Sequence, residues 1–188
     1  TLKYLVRELP GENGNRFNDV IADPSGRVFC GTMPLDPNVA MEGERLGTLY
    51  RLDTDGTITA ILGDRGISNG LGFTPDRMQM YYTESLDYTI YIFDYDSKTG
   101  EISNQRVFVE TSSDQGVPDG MTVDAQGDLW VAMWGGARIS RYAPDGTPRG
   151  AFRFPVSQTS SCGFGGSGLE DLYVTTAARG ISEDAEPD

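Results

Sequence analysis

The sequence predicts an all-β fold assembled from a unit that recurs about every fifty residues. Three observations carry this. Helical periodicity is almost absent, while short alternating strands bounded by Gly, Pro, Asp and Asn recur along all 188 residues. Three segments, RFNDVIADPSGRVFCGTM, ISNGLGFTPDRMQMYYTES and VPDGMTVDAQGDLWVAMW, align on Asn18, Asn69 and Asp119. Beyond each aligned position an apolar stretch leads to Asp23, Thr74 or Asp124, which opens a turn before the next strand.

Taken in order, the first repeat reads as strands near 18–22, 27–32, 47–52 and 57–62. GTLYRL and TITAIL are joined there by the hairpin turn Asp53-Thr54-Asp55-Gly56. The second repeat gives strands near 70–73, 78–83, 88–95 and 106–109, with SKTGEISNQ before the last. The third gives 120–123, 128–133, 138–142 and 150–154, its outer pair turned by Ala143-Pro144-Asp145-Gly146. A fourth begins at SCGFGGSGLEDLYVTTA and yields about two strands, while TLKYLVREL at the start reads as a strand over 2–9.

Four strands per unit of this length is the pattern of a β-propeller blade. A β-sandwich is the competing all-β fold, but it does not explain a polar residue at one fixed place in each repeat. In a propeller that place is the start of the innermost strand. Asn18, Asn69 and Asp119 are therefore expected to converge at the mouth of the central channel, with Cys162 in the equivalent place of the fourth copy. The expected organisation is one partial propeller over 1–188, with a blade remnant at 1–10 and repeats at about 16–62, 67–110, 117–155 and 160–188. Three and a half blades fall short of the usual closed ring, so the chain is expected to be part of a larger propeller. Open blade edges would invite association.

Composition narrows the chemistry. Net charge is −13, from 15 basic and 28 acidic residues, which disfavours nucleic acid and anionic membrane as partners. No stretch is apolar enough to span a bilayer. The chain contains no histidine, which excludes His-based triads and His-ligated zinc. Carboxylate, carboxamide and carbonyl oxygens remain, and these suit hard divalent cations. Cys30 and Cys162 are too few for a disulfide framework and read as buried thiols of a reducing, cytoplasmic compartment.

RFNDV at 16–20, ISNGL at 67–71, PDGM at 118–121, SLDYTIYIFDYD at 85–96 and TSSCGFGG at 159–166 occur in one order. Together they resemble the senescence marker protein, gluconolactonase and luciferin-regenerating enzyme family, from about Arg16 to Arg179. The resemblance implies a six-bladed propeller of the regucalcin-like kind that hydrolyses a small-molecule sugar lactone. It also implies one divalent cation at the channel mouth, calcium foremost, with zinc, manganese or magnesium as alternatives. Asn69 and Asp119 would be metal ligands, and a further glutamate ligand would lie in a first blade that this chain does not contain. Arg16 and Asn18 would contact substrate, with Asp36 of GTMPLDP as the positional match for an acidic substrate contact. Asp119 would also accept the proton of the attacking water. The isolated segment is expected to show little activity.

Plainer readings stand beside these. Asn69-Gly70 and Asp119-Gly120 are favoured turn dipeptides, and Arg16 could pair with a surface carboxylate. Asp19 reads as a supporting residue rather than a ligand. Asp23, Asp53, Asp55, Asp124 and Asp145 read as turn carboxylates. Trp130 and Trp134 read as packing residues, with Trp134 near enough to a strand end to reach the channel. The functional alternative is a calcium-binding or scaffold propeller without catalysis.

Overall fold

A computed structural model describes residues 4, 6, 8, 9 and 11–181. Three antiparallel four-stranded meanders follow one another in chain order. The first comprises β1 (Asn15–Ala22), β2 (Val28–Pro34), β3 (Gly47–Leu52) and β4 (Ile58–Arg65). The second comprises β5 (Ser68–Phe73), β6 (Gln79–Glu84), β7 (Thr89–Tyr95) and β8 (Ile102–Glu110). The third comprises β9 (Val117–Val123), β10 (Leu129–Trp134), β11 (Arg138–Tyr142) and β12 (Pro148–Arg153). A hairpin of β13 (Gln158–Gly165) and β14 (Asp171–Ala177) begins a fourth unit and joins β10 through the pair Trp134–Gln158. The strand read over 2–9 lies largely outside the described residues.

The innermost strands β1, β5, β9 and β13 pack each against the next, so the sheets stack as propeller blades do. Three interblade cores result. Phe29, Leu49, Leu71, Met80, Tyr82, Phe93 and Tyr95 fill the first. Tyr81, Ile90, Ile92, Met121, Leu129, Val131 and Met133 fill the second. Trp130, Ala132, Ile139 and Cys162 meet Phe164, Leu172 and Val174 in the third.

Side-chain alternation explains why the second strand of each blade is nearly all apolar. In β6, Met80 and Tyr82 face one core while Tyr81 faces the other. In β10, Leu129, Val131 and Met133 face backward while Trp130 and Ala132 face forward. A strand buried on both faces reads as a continuous apolar run. The outer strands have the opposite problem. β12 is exposed throughout, and β8 starts at Ile102, earlier than its apolar end at 106–109 suggests. Its polar first half, ISNQR, carries no burial signal because little of it is buried.

The turn carboxylates take the places expected of them. Asp23 Oδ1 accepts from the backbone N–H of Ser25 and Arg27, and Asp124 Oδ1 accepts from Gln126 and Asp128. Asp55 and Asp145 each accept from the residue two positions on, and Asp53 pairs with Arg51 at 2.8 Å. Such Asx turns fix the hairpin between innermost and second strands. Asp23 does more. Its buried carboxylate pairs with Arg27 Nε at 2.6 Å and accepts from the Tyr95 hydroxyl at 2.7 Å, which locks the first blade to the second. Burial and desolvation push the Cys30 and Cys162 thiols up, to about 11 and about 12, as expected of inert core cysteines.

Candidate active site

Each innermost strand carries a β-bulge at the repeated polar position. The β1–β2 register slips between Phe17 and Val20, the β5–β6 register between Asn69 and Leu71. The β9 pairing skips from Pro118 to Met121, so Asp119 and Gly120 form the bulge. An extra residue in one strand bends it and re-aims its side chains. The bulge thus turns Asn18, Asn69 and Asp119 toward a common cleft of about 460 Å³, which Arg16 and Trp134 also line.

The fourth copy corrects the alignment made on sequence. Its bulge falls between Thr159 and Ser161, at Ser160. Cys162 instead packs in the third core, with Sγ 3.4 Å from the Trp130 carbonyl. The first and fourth copies differ in spacing around the bulge, which misled an alignment based on chain order.

Glycines allow neighbouring bulges to touch. A Cβ on Gly70 would fall against the Asp119 carbonyl and within 2.8 Å of Thr83 Oγ1. A Cβ on Gly120 would meet Ser161 Cβ at 2.7 Å and the Ser160 carbonyl at 2.9 Å. Gly70→Ala is therefore expected to force β5 from β9 and cost about 1–3 kcal/mol. Chemical denaturation of the variant checks this.

The side chains interlock across blades. Asn18 Nδ2 donates to the Ser68 carbonyl at 3.0 Å, and its Oδ1 accepts from Arg16 Nη1 at 3.2 Å. Asn69 is buried, and its Nδ2 donates to Ser85 Oγ at 3.1 Å. The Asp119 carboxyl is pushed up to about 7. Desolvation is the main cause, opposed by hydrogen bonding from Asn69 and reinforced by the charge of Asp19. Asp19 is itself raised by burial, while the backbone N–H groups of Val20 and Leu71 draw it down. It stands beside the cleft as an electrostatic neighbour.

Asp36 takes a different place. It is exposed, absent from the cleft lining, and caps the short helix α1 (Pro37–Met41) by accepting from the Asn38 N–H at 3.0 Å. Pro37, Asn38 and Met41 of that helix line the cleft instead. The segment 33–46 was read as a loop, although Asp36-Pro37 is a cap followed by a helix-starting proline. Sequence reasoning also missed Ser85, whose Oγ donates to the Pro118 carbonyl at 2.7 Å. Trp134 does line the cleft, whereas Trp130 is buried and donates from Nε1 to Asp124 at 2.9 Å.

No group of three or more His, Cys, Asp or Glu side chains that could hold a metal occurs among the described residues. The donors that converge are one desolvated carboxylate and two carboxamides. Hard cations accept such oxygen sets, and a cation would relieve the desolvation and repulsion that raise the Asp119 pKa. These residues fit a divalent cation as a partial ligand set.

The architecture and site thus define a propeller with an oxygen-lined axial cleft. The chain belongs to the SMP-30/Gluconolactonase/LRE-like family, whose model matches residues 1–178. It is 49% identical to pentonolactonase XacC of Haloferax volcanii over 166 residues, covering 88% of this chain and 55% of that protein. It is 40% identical to regucalcin of Xenopus laevis, covering 96% and 60%. Among solved structures, a luciferin-regenerating enzyme matches with a TM-score of 0.86 at 36% identity, covering 98% and 61%. A calcium-binding regucalcin of Agrobacterium tumefaciens matches at 0.85 and 30%, covering 92% and 57%. The chain spans little more than half the length of these relatives.

Among the described residues, no helix is long and apolar enough to cross a membrane.

Proposed function

We propose that the protein hydrolyses a sugar lactone with a divalent cation, calcium foremost, held by Asn69 and Asp119. The observation that carries this reading is the convergence of Asn69 and a desolvated Asp119 in one cleft from adjacent blades. Membership of a family whose relatives include a pentonolactonase supports it. When bound, such an ion supplies Lewis-acid polarisation of the lactone carbonyl and acidifies water.

The chain's own residues supply the rest. A carboxyl pushed up to about 7 can exchange a proton near neutrality, so Asp119 takes the proton of the attacking water. Arg16 and Asn18, already joined at 3.2 Å, bond the sugar hydroxyls and hold the ring against the reacting centre. Trp134 gives the ring an apolar wall. Asp36 would reach a substrate only by giving up its cap on α1.

A second reading, a calcium-binding propeller without catalysis, is favoured by the neighbour described as a calcium-binding protein. Calorimetric titration of the full-length protein with calcium, manganese and zinc, alongside gluconolactone turnover, separates the two. Stoichiometric binding of one ion with lactone turnover is the expected result. Binding without turnover of any lactone would favour the second reading, and absence of binding would reject both.

A further inference from the structure

Ser85 sits in a 3₁₀ turn, Ser85–Asp87, that follows β6, with only 2% of its surface exposed. Its hydroxyl has one proton, and that proton goes to the Pro118 carbonyl of the next blade at 2.7 Å. Toward Asn69 the same oxygen can only accept. The group facing it at 3.1 Å must therefore be the Asn69 amide nitrogen. Asn69 also lowers the pKa of Asp119 by hydrogen bonding, which requires an N–H donor. Both amide protons are thus committed inside the protein. The carboxamide oxygen is left as the atom to present to the cleft.

We propose that Ser85 is a positioning residue which sets the flip of the Asn69 carboxamide, so that oxygen rather than nitrogen meets a bound cation. This rests on the reading of Asn69 as a metal ligand. A carboxamide without such a constraint can present either end, and an NH₂ group cannot ligate a hard cation. The direction is inherited from the Pro118 carbonyl, which lies one residue before the other ligand. One hydroxyl therefore couples the orientation of the Asn69 ligand to the backbone that carries Asp119.

A double-mutant cycle in the full-length protein tests the idea, with calcium and manganese affinity measured by calorimetry. Ser85→Ala is expected to weaken binding by about 10–100-fold, the usual effect of losing a group that orients a ligand. Asn69→Asp replaces the carboxamide with a carboxylate whose two ends are equivalent, so flip no longer matters. In that background Ser85→Ala is expected to change affinity by less than about threefold, the coupling energy isolating the orientation effect. Ser85→Thr keeps the hydroxyl and should bind close to wild type, and melting curves without metal follow folding in every variant. An equal loss in both backgrounds would show that Ser85 only packs, and no loss with Asn69 present would also overturn the proposal. A wild-type protein that binds neither ion would remove the metal reading itself, a different and distinguishable failure.

Discussion

Asp119→Ala is expected to lower lactone turnover by at least about 10²–10⁴-fold, the range for loss of a positioned acid–base group alone. The variant also loses the only carboxylate at the centre of the cleft, so metal affinity should fall with activity. Stability should move the other way or stay level. The wild-type carboxyl is desolvated and stands near the charge of Asp19, which is why it is pushed up to about 7. Removing a group that folding disfavours in its charged form does not destabilise the metal-free protein at neutral pH. Steady-state kinetics and a metal-free thermal melt on the same preparation check both halves. Lost activity with a lower melting temperature would mark Asp119 as structural, and retained metal-dependent turnover would remove it from the site.

Asp23→Ala is expected to be the most damaging substitution outside the cleft. The Asp23 side chain is fully buried and that of Arg27 is 8% exposed. Arg27 also donates to the Lys98 and Ser97 carbonyls at 2.9 and 2.6 Å. Removing the carboxylate leaves a guanidinium without its counter-ion at the seam between two blades. Breaking a buried pair in this way costs about 3–5 kcal/mol, or on the order of 10 °C in melting temperature for a domain of this size.

The same pair gives a pH dependence. Hydrogen bonds from Tyr95 and Arg27 outweigh desolvation and hold the Asp23 carboxyl below its usual value of 3.8. A depressed folded-state pKa means stability that is present above the unfolded value and is lost as pH falls through the folded one. The stability gap between wild type and Asp23→Ala should therefore be constant near neutrality and shrink below about pH 4. Urea melts across that range measure it, and a gap that widened on acidification would reverse the assignment.

Much of this architecture is legible in the sequence, for reasons that can be stated locally. Strands such as LWVAMW are buried on both faces and read as apolar runs, and turn carboxylates such as Asp124 bond within their own hairpin. Asn69 and Asp119 announced themselves because the propeller places one position of every repeat at its axis. What escaped depends on contacts between repeats or on exposure. Ser85 works through the backbone of the following blade at Pro118, and no spacing in its own segment encodes that partner. Ser160, not Cys162, holds the fourth bulge because the register shift is set by pairing with β14. Asp36 matched a site position in order along the chain, yet its proximity to Asn38 makes it a helix cap.

The central claim is that lactone hydrolysis needs a divalent cation held by Asn69 and Asp119. Chelation followed by metal replacement tests it most directly. The full-length protein is stripped with a chelator, assayed on gluconolactone, and titrated with calcium, manganese or zinc. Turnover should vanish on stripping and return with one equivalent of ion in the wild type, and it should not return in Asp119→Ala. Full turnover by the stripped wild-type protein would contradict the account.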